Sequence, residues 1–420
     1  VKDARTTRAA IEAVWRIESA RLIGGLVRVV RDVSLAEDLA QAALVSALER
    51  WPEEGIPERP GAWLMTTARH RGLDALRHEK MRARAHEALG SESEHAFVPS
   101  FDEAIDDDVG DDLLQLMLIA CHPVLSREAR TALTLRLLGG LDASEIARAF
   151  LVPEPTIAQR IVRAKRTLAE ARVPFEVPRG AALTERLSAV LEVIYLVFNE
   201  GYAATQGGEW MRPALCEEAM RLGRILVGLV PEHAEAHGLV ALMELQASRL
   251  RARTGPNGEP VLLLDQDRSR WDHLLVRRGL EALARSESLA QPLGPYALQA
   301  AIAGCHARAR TASETDWARI VAIYDALVEV TQSPVVALNR AVAVSMAFGA
   351  EAGLEAVDDL ADERLLARYH LLPSVRGDLL MKLRRFDEAR RELERAAEMT
   401  GNERERDVLL AKARACAGMS

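Results

Sequence analysis

The sequence predicts an all-α chain in which two small helical modules, the second built on a helix-turn-helix, are joined by an acidic linker and followed by a helical repeat region. Three observations predict it. Residues 35–76 carry apolar stripes at helical spacing, residues 141–168 read as two short helices around a proline turn, and residues 334–399 repeat one helical pattern at an interval of 36 positions.

The first module is assigned to residues 1–86. From Leu35 to Trp51 the apolar Leu35, Leu39, Ala42, Ala43, Leu48 and Trp51 mark a buried stripe, with Glu37, Asp38, Gln41 and Glu49 elsewhere on the helix. An acidic, amide-bearing face repels DNA and suits a basic protein partner; a merely solvated face is the plainer alternative. A loop with Pro52, Pro57 and Pro60 follows, acidic through Glu53, Glu54 and Glu58. The next helix, Gly61 to about Arg84, has the opposite sign. Arg59 just before it and Arg69, Arg71, Arg77, Lys80, Arg82 and Arg84 within it outnumber Asp74 and Glu79, with His70 and His78 beside them. Such a helix binds polyanions. Trp63, Leu64, Ala68, Leu73 and Leu76 follow a helical stripe, so Trp63 belongs in the core rather than on a base.

Residues 87–112 form the linker: ten acids and no Lys or Arg, without periodicity. The chain total of -8 conceals a segregation. Residues 1–86 carry +3, residues 113–172 carry +4 and residues 173–420 carry -5, so both candidate DNA-binding modules are positive.

The second module spans residues 113–172. In Leu141 to Phe150, Leu141, Ile146, Ala147 and Phe150 fall at helical spacing, and Asp142 or Ser144 can cap the start. Leu151-Val152-Pro153 breaks that helix, Glu154 and Pro155 suit a first turn, and Ile157, Ile161, Ala164 and Leu168 share one face of the next. Its other side is basic through Arg160, Arg163, Lys165 and Arg166. Arg160 and Arg163, with Gln159, are the candidates for base edges, and Lys165 and Arg166 for phosphates. A solvated bundle helix is the weaker reading, since surface helices usually mix both signs.

Residues 173–420 are long enough for a core of their own. Two prolines in Val173 to Pro178 mark the boundary, and Leu183 to Phe198 is a nearly continuous apolar helix, too short for a membrane span, stopped at Asn199-Glu200-Gly201-Tyr202. Near the end, Gly377, Leu380, Phe386, Ala389, Leu393 and Ala396 match a tetratricopeptide helix-turn-helix, and Ala341, Gly353 and Val357 form its looser copy. Residues 181–415 are therefore expected to stack as one array. The segment Asp265-Gln266-Asp267-Arg268-Ser269-Arg270-Trp271 stands out. Helix capping and an internal Asp-Arg network outweigh a metal or acid-base pair as its reading. A third reading makes Asp265, Asp267, Arg268, Arg270 and Trp271 interdomain residues through which this region regulates the modules before it.

Taken together, SLAEDLAQAALVSALERW, GAWLMTTARHRGLDALRHEKMRAR and LDASEIARAFLVPEPTIAQRIVRAKRTL resemble, in order and separation, the two conserved domains of bacterial extracytoplasmic-function (ECF) sigma factors of the sigma-70 family. The subgroup with a tetratricopeptide-like C-terminal extension resembles the whole chain. The resemblance implies sigma region 2 at 1–86 and region 4 at 113–172. It implies that Asp38 and Gln41, with Glu37, dock the clamp helices of the RNA polymerase beta-prime subunit, and that Arg59, Arg69, His70, Arg77 and Lys80 follow the -10 element of promoter DNA. Thr156, Gln159, Arg160, Arg163, Lys165 and Arg166 would then read the -35 element. Such a protein is a cytoplasmic initiation factor and not an enzyme, and it needs neither cofactor nor metal. Four scattered cysteines without C-x-x-C pairing fit reduced thiols and no zinc site, and no nucleotide loop, nucleophile elbow, signal peptide or membrane segment is found. The alternative is a helix-turn-helix repressor fused to a protein- or ligand-binding repeat scaffold, which would have no use for an acidic docking helix followed by a basic one.

Overall fold

The computed structural model describes residues 4–71, 109–150, 152–171, 173–202, 211–255, 261–400 and 403–418; among these there are helices and no strand. They divide into two compact units, Val1–Val230 and Pro231–Ser420.

In the first unit, α1 (Ala4–Val30) and α2 (Val33–Glu54) form an antiparallel pair, and residues 60–71 form α3. The Asp32 carboxylate starts α2 by accepting from the Leu35 amide at 2.8 Å. Gly55, at φ +87°, ends it with its amide on the Trp51 carbonyl. The buried stripe of α2 is Val33, Ala36, Leu39, Ala40, Ala43, Ala47 and Trp51, so alanines set a close approach to α1. Leu48, expected inside, is exposed. The stripe follows Ala40, Ala43 and Ala47, the small side chains that let two backbones meet. Trp63 of α3 is half-buried and meets Trp51 edge to face at 5.2 Å.

The second module follows as α4 (Val109–Ala120), α5 (Arg127–Leu137), α6 (Ala143–Phe150) and α7 (Glu154–Glu170). Helix α4 begins inside the expected linker, so residues 109–112 are structured; residues 72–108, with Arg77 and Lys80, lie outside the described residues. It lies flush on α1. A Cβ added to Gly24 would stand 2.8 Å from the Asp112 carbonyl oxygen, and Arg28 pairs with the Asp112 carboxylate at 3.2 Å. Helix α6 opens on a reciprocal cap, Asp142 accepting from the Glu145 amide at 2.7 Å and Glu145 from the Asp142 amide at 2.8 Å.

Two further helices belong to this unit rather than to the repeat array: α8 (Ala181–Tyr202) and α9 (Pro213–Leu229). The compact first unit thus runs past residue 173, where the second module was expected to end, as far as 230. The reason is physical: α8 is apolar on more than one face and needs cover, which α4 and α5 supply alongside α9. Arginines complete the seam. Arg186 donates to the Leu118 carbonyl at 2.6 Å, Arg221 to that of Leu138 at 2.6 Å, and Arg212 to that of Ala149. These are last-turn or C-cap carbonyls of α4, α5 and α6, the groups a helix leaves without internal donors. Glu192 of α8 in turn pairs with Arg127 and Arg130 of α5.

The second unit comprises α10 (Ala234–Ala247), α11 (His273–Ser288), α12 (Pro295–Arg308), α13 (Trp317–Thr331), α14 (Pro334–Phe348), α15 (Ala350–Asp358), α16 (Leu371–Lys382), α17 (Phe386–Met399) and α18 (Glu403–Ala417). From α10 onward neighbours in sequence pack on one another. The repeat positions Ala341, Gly353, Val357, Gly377, Leu380, Ala389, Leu393 and Ala396 are all buried. Small residues set the spacing. A Cβ on Gly238 would lie 2.6 Å from the Ala297 amide, and one on Gly377 2.8 Å from Leu393 Cγ. Glu235 of α10 caps the start of α12, accepting from the amides of Gly294, Tyr296 and Ala297. Cys121 and Cys216 in the first unit and Cys305 and Cys416 in the second are buried free thiols.

Candidate nucleic-acid and partner interface

Helix α7 buries Ile157, Ile161, Ala164 and Leu168, the four residues its period predicts. Thr156, Gln159, Arg163 and Arg166, spaced three and four apart, therefore share one exposed face. Arg163 makes no hydrogen bond or ion pair among the described residues. Arg166 is exposed and, among the described residues, paired only with Glu170, one turn on, at 2.6 Å. A basic, donor-rich strip of this width, on the second helix of a helix-turn-helix, matches what a DNA major groove accepts.

Two of the six expected recognition residues point elsewhere. Arg160 is half-buried and lines a cavity of about 180 Å³ with Arg127, Glu128, Ile157, Leu196 and Glu200, between α5, α7 and α8. Lys165 turns inward. Its ammonium pairs with the Glu37 carboxylate of α2, with only 15% of the Lys165 side chain exposed.

Glu37 itself is buried, 6% of its side chain exposed, rather than lying on an open acidic face. Its Oε1 accepts from Arg136 Nε of α5 at 2.7 Å and from Gln41 Nε2 at 2.9 Å, and its Oε2 takes Lys165. Burial alone pushes the Glu37 carboxyl up. The ammonium of Lys165 and the guanidinium of Arg136 outweigh that and hold it below its ordinary range. Asp38 and Glu49 are exposed, and Gln41 is half-buried. Beside the ion cluster an open groove of about 560 Å³ runs between α1 and α2, lined by Ile11, Trp15, Ile23, Leu44, Val45 and Leu48. Glu12, Asp142 and Glu145 add carboxylates around it. The buried hydroxyl of Ser19, also in its lining, has no hydrogen-bond partner among the described residues.

On the α3 side Arg59 and His70 are exposed and Arg69 is half-buried, while Arg71 donates to the Ser46 hydroxyl at 2.8 Å. Sequence reasoning missed Arg136. Its signal was one charge set between Leu135 and Leu137 in a leucine-rich run.

In the second unit, the Asp265 to Trp271 segment is knit internally. Asp267 caps the short 3-10 turn Arg268–Arg270 by accepting from the Ser269 amide at 2.9 Å. Arg268 stacks over the buried Trp271 ring at 4.9 Å and donates to the carbonyls of His306 and Ala309 at the end of α12. Asp272, rather than Asp267 or Ser269, caps the helix that follows, accepting from the amides of Leu274 and Leu275. Asp265, Asp267 and Arg270 are exposed. Burial and the nearby Arg249 and Arg268 hold His306 down to about 4, so it is neutral. Among the described residues no group of His, Cys, Asp and Glu could hold a metal ion, and no helix is long and apolar enough to cross a membrane.

Comparison with known proteins gives three family matches: sigma-70 region 2 over residues 17–82, sigma-70 region 4 over residues 115–168, and a family of unknown function, DUF6596, over residues 186–287. An uncharacterised protein of Rhizobium meliloti (strain 1021) is 42% identical over 381 residues, 90% of this chain and 89% of that one. A probable ECF RNA polymerase sigma factor, SigI, of Mycobacterium tuberculosis is 30% identical over 39% of this chain and 56% of its own length. A probable RNA polymerase sigma-C factor of Mycobacterium bovis is 28% identical over 38% of this chain and 78% of its own. No solved structure matches. The DUF6596 match starts within α8 and ends within α11.

Proposed function

Because the chain belongs to the extracytoplasmic-function sigma-70 factors that carry a DUF6596 C-terminal extension, we propose that it brings RNA polymerase core to its promoters through α2 and reads them through α3 and α7, under modulation by the extension. Region 2 and region 4 imply polymerase core and promoter DNA as partners, and the family acts as a non-enzymatic initiation factor. The finer assignments follow from chemistry. Asp38, exposed beside Gln41 and Glu37, gives α2 a negative face for the basic clamp helices of the beta-prime subunit. Arg59, Arg69 and His70, with Arg77 and Lys80, serve the -10 element.

The observation that carries the reading is the exposed face of α7. Arg163 is its best candidate for a guanine edge, with Thr156 and Gln159 beside it and Arg166 at a phosphate. Lys165 serves the -35 element only after leaving Glu37, and Arg160 only by turning out of the cavity it lines. The extension, -5 over residues 173–420 and built on stacked tetratricopeptide-like helices from α10 onward, is a modulator covalently held at high effective concentration.

Run-off transcription with matched core tests the reading. The full chain should direct initiation from selected genomic fragments, and Arg163→Ala should lose selectivity at one base position. Transcription that never depends on the added chain, or repression in its place, would favour the fused repressor instead. Comparing the full chain with one ended after Val230 gives the sign of the effect of the helices from α10 onward.

A further inference from the structure

The Glu37 cluster joins elements from both sigma regions. The carboxylate sits on α2, Arg136 on α5 and Lys165 on α7, 99 and 128 positions away in sequence. Both carboxylate oxygens are occupied and the group is out of water, so it keeps its charge only while cations accompany it. Arg136 has a second hold in its own module, donating to the Leu141 carbonyl at 3.3 Å. Among the described residues Lys165 pairs only with Glu37. The cluster also withdraws residues from both proposed surfaces: Lys165 from the DNA side, Glu37 and part of Gln41 from the docking side.

We infer that the Glu37, Arg136 and Lys165 cluster is an exchangeable clasp, for which the basic docking helix of polymerase core competes on the α2 side and DNA phosphate on the α7 side. A cation from the core that satisfies Glu37 releases Lys165. A phosphate that takes Lys165 leaves Glu37 short of a charge and better disposed to a basic partner. By linkage, core and promoter then each strengthen the binding of the other through this one carboxylate. The inference rests on α2 being the docking helix, as proposed above. It goes further in making the closed arrangement of regions 2 and 4 the ground state from which both partners draw.

The test uses the full chain with Glu49→Cys and Ala169→Cys, both exposed positions, carrying a donor and an acceptor dye; the native thiols are buried. Energy transfer should be high in the free protein and fall on adding core alone. Glu37→Gln should open the free protein, tighten its binding to promoter duplex without core, and shrink the core-dependent gain in DNA affinity from a range of roughly 5- to 150-fold towards unity. Lys165→Glu should also open it, and combining it with Glu37→Lys should restore high transfer. That rescue separates a clasp from simple misfolding. Unchanged transfer in a folded Glu37→Gln chain, or a double variant no more closed than Lys165→Glu alone, would overturn the inference. Asp38→Lys, outside the cluster, tests the premise separately: normal core binding there removes the docking reading, while the dye distances of the Glu37 variants still judge the clasp.

Discussion

At residue scale, the side chains of α7 divide by where they can go rather than by charge. Arg163 and Arg166 are exposed, whereas Arg160 is half-buried in the lining of a cavity and Lys165 is paired with Glu37. Replacing Arg163 by Ala should cost ~1–3 kcal/mol of discrimination at one base position. Arg160→Ala should chiefly change stability, and binding profiles across a randomised duplex library would tell the two apart. Glu37 permits a second prediction with a definite sign. Its folded pKa lies below its ordinary value of 4.5, so its contribution is present above that value and lost as pH falls through the folded one. Removing one member of a buried ion cluster costs ~3–5 kcal/mol. Thermal unfolding should therefore show Glu37→Gln well below the native chain at pH 7, with the gap closing below pH 4.5; a gap independent of pH would refute the charge as its source. None of this was legible locally. The period of α7 gave away its buried residues Ile157, Ile161, Ala164 and Leu168, but the burial of Glu37 is decided by cations about a hundred positions away, which no helical pattern encodes.

At the scale of elements, the α8–α9 hairpin acts as a capping device for the helix-turn-helix module. Arg221→Ala should leave the buried Leu138 carbonyl without that donor and lower the stability of the full chain by ~1–3 kcal/mol, read by chemical denaturation. Arg221→Lys, which keeps the charge and shortens the reach, should recover only part. In the second unit Gly238→Ala would drive a methyl against the backbone of α12, an overpacking cost of ~1–3 kcal/mol in the same measurement. The sequence made the helices themselves readable, and the small residues at 353, 377 and 389 fell where close packing needs them. It did not reveal which neighbour α8 chooses. A helix that is apolar on several faces announces a need for cover without naming the cover.

For the whole molecule, the two contact-defined units set where the chain can be cut. Ending it after residue 172, the limit of the sigma resemblance, would expose the α4–α5 surface on which α8 lies and remove the arginines that serve Leu118, Leu138 and Ala149. Residues 1–172 should therefore melt lower than residues 1–230, or fail to fold; equal melting temperatures would show that α8 and α9 are dispensable to the module. The match to the family of unknown function crosses the division at 230, so family boundary and packing boundary differ in this chain. The division has a use in chemistry as well. Each unit shelters two thiols, and burial raises the Cys121 thiol to about 11, so a native thiol reacts with an alkylating reagent only while its surroundings are open. The four cysteines thus form an internal clock: the mass gained at 121 and 216, against that at 305 and 416, records how often each unit opens under native conditions.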